Sequence, residues 1–214
     1  MKLQAIGFGA LNLDEFWEVR SEFLRTHGLV PGSEYVRDVE WFKNIYPALK
    51  AEGVLIGADP GGSAANMIAA LRRMGFRTGF YGAAGREDAA LLRLDELGER
   101  EDLRILETPL PSGRCLALID RGDDSRDRSL VITPNANDLA GTDKPDADWF
   151  AQADWIHLTS FVSNGPLEAQ INVVEKLPNR TRVGFDPGAL YCARGIGNLA
   201  PILRRTDILF VTDE

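Results

Sequence analysis

Positive charge is scarce in this chain: 24 Lys and Arg face 32 Asp and Glu, a formal net charge of -8 at pH 7. Nucleic acid and anionic membrane surfaces are held through basic patches, so neither is expected as the main partner. Cysteine is nearly missing. Cys115 and Cys192 lie far apart in sequence, which suggests neither a disulfide framework nor a thiolate zinc site, and His27 and His157 are equally solitary. No apolar run reaches the length of a membrane-spanning helix. The opening "MKLQAIGFGALNLDEF" has no signal-peptide core, since acidic residues arrive by Asp14. The expected placement is cytoplasmic, and in that setting Arg121-Gly122-Asp123 and Asn179-Arg180-Thr181 read as turn residues rather than adhesion or glycosylation signals. Internal repeats and low-complexity segments are absent too. What remains, 214 residues with 44% hydrophobic and 26% charged side chains, suits a single globular domain with a sizeable core.

Short apolar runs alternate with helical patterns along much of the chain. Leu3 to Gly9, Thr78 to Gly82, Trp155 to Leu158, Arg182 to Phe185 and Ile208 to Val211 read as buried strands, with helices over Pro166 to Lys176 and Gly197 to Arg205. Strands alternating with helices imply parallel pairing through right-handed crossovers, hence an α/β domain. Two regions break the rhythm: residues 14–60 are mixed and polar-aromatic, and residues 103–133 read as alternating strands around a polar turn. Together they predict a small β-rich lid over one edge of the α/β body. The final run, "TDILFVTDE", predicts a strand with no following helix to cover it; such edges are usually avoided, so a longer domain is expected, with its C-terminal part absent here.

The segment "PGGSAANMIAALRRMGF" (Pro60 to Phe76) stands out. Met67, Ile68, Leu71 and Met74 predict one stripe of a helix, capped by Ser63 and closed by Gly75, with Arg72 and Arg73 in its last turn. Gly61 and Gly62 bring bare backbone up to whatever Asn66 faces. The stretch is not a phosphate loop of the G-x-x-x-x-G-K-[ST] type, nor a G-x-G-x-x-G fingerprint. Bare amides beside one neutral donor–acceptor side chain suit a hydroxyl-rich neutral ligand. A tight turn entering a packed helix, with Asn66 solvated, fits the same residues.

The Gly-Gly pair, small residues, Asn66 and helix resemble the first signature of the ribokinase-like, or PfkB, carbohydrate kinases. "GFGALNLDEF" is similar to that family's first strand and its sugar-binding Asp, which falls on Asp14, with Asn12 two residues before. "TPNANDLA" resembles the family's stretch after the lid hairpin, with Asn135 in place of Gly, and "FDPGALYCARG" and "LRRTDILFVTDE" resemble later strand ends. The resemblance implies a three-layer α/β/α fold with a mostly parallel sheet and a lid contributed by about 14–60 and 103–133. It also implies ATP-dependent phosphoryl transfer to an alcohol group of a sugar or nucleoside, with ATP and Mg2+ as cofactors. The implied acceptor site is Asn12, Asp14, Gly61, Gly62, Asn66 and Asn137. Arg194, Thr212 and Glu214 are the candidates on the nucleotide side, Thr212 standing where the family has Asn. The family's Gly-Ala-Gly-Asp motif, with its anion-hole amides and catalytic Asp, does not occur in the 214 residues. The chain is therefore expected to hold the acceptor part and to be inactive alone. A non-catalytic sugar- or nucleoside-binding module is the alternative. The long 14–60 segment is more similar to the adenosine kinase and fructokinase branches than to short ribokinases, and a homodimer through the lid is expected.

Overall fold

The computed structural model describes residues 2–122 and 127–211. In chain order its strands are β1 (Ala5–Phe8), β2 (Asn12–Val19), β3 (Glu34–Val36), β4 (Val54–Gly61), β5 (Thr78–Gly85), β6 (Leu103–Thr108), β7 (Gly113–Asp120), β8 (Arg128–Thr133), β9 (Trp155–Thr159), β10 (Arg182–Asp186) and β11 (Ile208–Leu209). The α-helices are α1 (Ser21–Thr26), α2 (Val39–Glu52), α3 (Ser63–Arg73), α4 (Ala147–Phe150), α5 (Asn164–Val174), α6 (Gly188–Cys192) and α7 (Ile196–Leu203).

Six strands form an all-parallel sheet in the order β11-β10-β9-β1-β5-β6. Every residue of β1 and β5 is buried, the pattern of strands covered on both faces. Ile6, Phe8, Ile156, Leu158, Val183 and Phe185 pack on one face against α5 and α7. On the other face, Ala5 and Phe80 pack against Ala64, Ala65 and Ile68 of α3. The result is three layers, as expected. Gln170 of α5 closes the carboxyl ends of β1 and β9: its amide donates to the carbonyls of Phe8 (3.0 Å) and Thr159 (2.9 Å), and it accepts from the Tyr191 hydroxyl at 3.0 Å.

The other five strands form a mixed sheet, β3-β8-β7-β2-β4, which is the lid. Strand β2 has the period-two pattern of a half-covered sheet: Leu13, Glu15, Trp17 and Val19 are buried, and the residues between them face outward. Leu116, Leu118 and Val131 extend the buried face, which is covered by Phe23 and Leu24 of α1 and by Phe42, Ile45 and Leu49 of α2. Helix α2 starts where Asp38 accepts from the Trp41 backbone N–H at 2.8 Å.

Several expectations need correcting. Residues 103–108 do not belong to the lid; β6 is the body's edge strand, in parallel register with β5 from Phe80↔Leu103 to Gly85↔Thr108. An alternating strand reads the same in a hairpin and at a parallel edge, so periodicity could not separate them. The 14–60 segment adds two helices, giving the lid a core of its own. Helix α3 begins at Gly62 with no side-chain cap, so Ser63 does not cap it, and its buried residues are Ala64, Ala65 and Ile68 while Met74 is exposed. The last strand is two residues long, and Ile208 to Val211 are exposed.

Candidate acceptor-binding cleft

Strand β1 ends at Phe8 and the chain climbs through Ala10 into the lid, so the lid's outer face hangs over the carboxyl ends of β1 and β9. Ligands of open α/β sheets bind in this position. A cleft of about 630 Å³ lies there. Its roof is Asn12 and Asp14 of β2, Cys115 of β7, Ile132 of β8 and Glu34 to Val36 of β3; its floor is Gly62, Ser63 and Asn66; its far wall is Thr159 to Val162 with Ala189, Leu190 and Ala193.

The alternation of β2 sends Asn12 and Asp14 to the cleft and Glu15 to the opposite face. The Asp14 carboxylate rests on Gly61: a Cβ there would stand 2.1 Å from Asp14 Oδ2, so any side chain would displace it. Gly62 is required differently. Its φ of +105° is left-handed backbone, and a Cβ would lie 2.2 Å from the Ala10 carbonyl. Asp14 Oδ1 is buried and has no hydrogen-bond partner. Burial, together with the carboxylate of Asp59 opposite it in register, pushes the Asp14 carboxyl up to about 6. Asp59 in turn is held by Arg93, Nη2 to Oδ1 at 2.6 Å. The same surroundings, burial first and then Asp14, push the Cys115 thiol up to about 12, so it stays protonated.

Asn12, Asp14, Gly62, Asn66 and Asn137 of the expected acceptor set all border this cleft, and Gly61 lies directly beneath Asp14. They differ in what they can offer. Asn137 is spent inside the protein: its Oδ1 accepts from the Leu11 N–H at 2.9 Å, and its Nδ2 donates to the Leu11 carbonyl (3.1 Å) and to Asn12 Oδ1 (2.9 Å). It orients Asn12 and leaves that residue's amide N–H2 for the cleft. The neighbouring Asn135 has φ 48°, a left-handed conformation that Asn tolerates better than most side chains, which is why it can stand where the family pattern has Gly.

Arg194 is also committed. Its Nη2 donates to the carbonyls of Phe161 (3.2 Å), Val162 (2.5 Å) and Ser163 (3.1 Å), Nη1 donates to Asn164 Oδ1 at 2.6 Å, and the guanidinium stacks over Tyr191. It holds the far wall in place. Asp186 accepts from the Gly188 N–H at 3.1 Å, a turn closure. Thr212 and Glu214 lie outside the described residues. Glu34, Cys115, Ile132 and the Thr159–Val162 wall were not anticipated. Cys115 could have been found only through its parallel register with Asp14, which no local pattern reveals.

The charged groups lining the cleft are the carboxylates of Asp14 and Glu34, with no Lys or Arg among the described lining residues. That chemistry fits hydroxyl donors and does not fit a triphosphate. No group of three or more His, Cys, Asp or Glu among the described residues is placed to hold a metal ion. No described residue is therefore assigned to ATP or Mg2+.

The sequence model of the pfkB family carbohydrate kinases matches residues 32–214. The chain belongs to that family. An uncharacterized sugar kinase of Archaeoglobus fulgidus is 32% identical over 144 residues, covering 64% of this chain and 55% of the relative. An ATP-dependent ribose-1-phosphate kinase of Halopiger xanaduensis is 29% identical over 158 residues, covering 72% of this chain and 50% of the relative. The crystal structure of adenosine kinase from Sinorhizobium meliloti superposes with a TM-score of 0.76 at 16% identity, over 98% of this chain and 65% of that one. At that identity the likeness establishes the ribokinase-like fold alone. The pfkB chain thus spans about half the length of the two sequence relatives. No helix of the described residues is long and apolar enough to cross a membrane.

Proposed function

We infer that the cleft is the acceptor site of an ATP-dependent kinase, and that it binds an uncharged sugar or nucleoside through the hydroxyl groups. One observation carries the reading: Asp14, whose side chain is seated on Gly61 with one buried carboxylate oxygen left without a partner, lines a cleft that Asn12 and Asn66 also line. A buried acceptor left unsatisfied is costly, and two vicinal hydroxyls donating to one carboxylate relieve that cost through charge-assisted bonds. Asn12 and Asn66 each add a neutral donor, and the bare Gly62 backbone lets the ligand approach the start of α3.

The residues of this chain bind and orient the acceptor. The lid roof excludes water, which competes with the acceptor hydroxyl in phosphoryl transfer. ATP supplies the phosphoryl group. The catalytic base and the phosphate-cradling amides of the family pattern have no counterpart motif in this sequence, so the acceptor half of the work is what we assign to it.

Isothermal titration with ribose, fructose and adenosine tests this. Saturable binding of at least one, weakened ten- to a hundred-fold by Asp14→Asn, is expected. Binding unaffected by Asp14→Asn removes the assignment, and ATP turnover by the chain alone overturns the placement of the base outside it. We further infer a homodimer through the lid, because β4 is an edge strand on which Val54, Leu55 and Ile56 are all exposed. Light scattering should show a dimer that Leu55→Lys disrupts; a monomer at all concentrations refutes it.

A further inference from the structure

Directly behind Asp14, on the covered face of the lid, lies a buried charged cluster that hydroxyl binding does not use. Glu15 Oε2 accepts from Trp17 Nε1 at 2.8 Å and its Oε1 from the Tyr46 hydroxyl at 2.8 Å. Arg114 of β7 sets its Nε 3.2 Å from Glu15 Oε1 and its Nη2 2.6 Å from Asp88 Oδ2. The side chains of Arg114 and Glu15 are 7% and 3% exposed, so the pair is held away from water. Burial and the Glu15 carboxylate push the Tyr46 phenol up to about 12, so it remains a donor throughout the physiological range.

Its partners divide between two bodies. Glu15, Trp17 and Tyr46 belong to the lid. Asp88 belongs to the body, three residues beyond the end of β5, where it accepts from the Ser112 N–H at 3.1 Å and from the Ser112 hydroxyl at 2.5 Å. The Ser112 hydroxyl in turn accepts from the Gly85 N–H at 2.8 Å. Ser112 is the last residue before β7 enters the lid. Arg114 is therefore the cation that joins a lid carboxylate to a body carboxylate at the point where the chain crosses.

A buried ion pair is poor evidence of stabilisation, since desolvation offsets most of its attraction; its best-attested use is to fix one arrangement among several. We propose that Arg114 is a positioning residue for the cleft: fixed in the lid, its buried pair with Asp88 of the body sets the angle of the lid on the body, and so the height of Asp14 over the cleft floor. The bridge acts at the crossing into β7 and is buried, whereas the side-chain tie beside Gly61 and Gly62 at the crossing from β4 into α3 is the exposed pair of Asp59 with Arg93 at 2.6 Å. Cutting the Arg114 bridge leaves the lid's angle to the chain crossings and to that exposed pair.

The asymmetry of the bridge supplies the test, which needs no acceptor. Spin labels on Glu52→Cys of the lid and on native Cys192 of the body, in a Cys115→Ser background, report the lid–body distance by double electron–electron resonance. With Arg114 intact the distribution should be narrow. Asp88→Asn cuts the body end of the bridge and should broaden it. Glu15→Gln cuts only contacts inside the lid and should leave it narrow, even where the two variants lose similar melting temperature. Arg114→Lys, which keeps the charge and loses the fork, should fall between wild type and Asp88→Asn. Circular dichroism confirms that each variant is folded, and Arg114→Lys stands in if Asp88→Asn is not. Equal broadening in Glu15→Gln and Asp88→Asn, or in neither, overturns the proposal and leaves the acceptor reading untouched. Where an acceptor binds, its affinity should drop at least tenfold in Asp88→Asn and change less than threefold in Glu15→Gln.

Discussion

Asp14→Asn should make the protein more stable at neutral pH while it weakens the cleft. The Asp14 carboxyl titrates about two units above its ordinary range, moving from 3.8 to about 6, because burial and then the Asp59 carboxylate disfavour its charged form. At about 1.4 kcal/mol per unit that rise corresponds to about 3 kcal/mol. The Asp59 share is screened, since that side chain is 71% exposed, so about 2–3 kcal/mol is the working figure. The sign follows from which state holds the proton more tightly. Below about pH 3.8 the carboxyl is protonated folded and unfolded, and the site costs nothing. As pH rises through about 6 the unfolded chain has already ionised, and the folded protein must charge a buried group; stability falls across this window and then levels off. Asn carries no such charge. Urea melts of wild type and Asp14→Asn from pH 4 to pH 8 should therefore coincide at the acid end and diverge by about 2–3 kcal/mol above pH 7, or roughly 4–12 °C in Tm for a chain this long. A gain independent of pH, or a loss at pH 8, refutes the account of Asp14 as a strained, waiting acceptor. The expected outcome is the exchange of stability for function found at binding sites.

Gly61→Ala places a Cβ 2.1 Å from Asp14 Oδ2 and should weaken acceptor binding at least tenfold, at a stability cost of about 1–3 kcal/mol measured by urea melts; unchanged affinity contradicts the seat described for Asp14. His157 is buried and held down to about 4, so its contribution is present above its ordinary 6.5 and is lost as pH falls from there through about 4. His157→Gln should flatten that acid limb by about 3 kcal/mol in stability-versus-pH curves, and an unaltered limb rules the residue out. Asn135, at φ 48°, should tolerate Gly with a loss of about 1 kcal/mol for its hydrogen bonds, while Ala should lose about 2–3 kcal/mol; equal denaturation midpoints for the two variants contradict a left-handed site.

The α/β body was legible because its strands are covered on both faces and read as unbroken apolar runs, and part of the cleft lining and the seat beneath Asp14 stood out in sequence because Gly61, Gly62 and Asn66 sit in one short segment. What escaped was longer in range. Strand β6 looked like lid because its parallel partnership with β5 leaves no mark on its own sequence. Strand β4 hid behind its exposed Val54, Leu55 and Ile56, which match no half-buried alternation. Glu15, Asp88 and Arg114 were overlooked because charged side chains are read as solvent-facing by default. The available signal was phase: in "LNLDEFWEV" Glu15 falls in step with Leu13, Trp17 and Val19, and in "GRCLALI" Arg114 falls in step with Leu116 and Leu118, so both charges were already placed on the inward face. Asn137 and Arg194 were expected to serve the acceptor and the nucleotide, whereas their hydrogen-bonding capacity is turned inward, and for Asn137 only partners 125 to 126 residues away disclose that.

The irregularity in the lid has a consequence for how such a protein can vary. β2 and β4 run in register from Asn12↔Gly61 to Phe16↔Gly57, and then Ile56 is skipped before Trp17↔Leu55 resumes the ladder. The extra residue falls outward of Asp14. Any slip by one residue inward of it would turn Asp14 to the covered face and Glu15 to the cleft, whereas the bulge absorbs a mismatch arising farther out. The outer lid is thereby uncoupled from the rungs that border the cleft. Its strands and loops can lengthen, shorten or twist to suit a different partner while the carboxylate keeps its seat on Gly61.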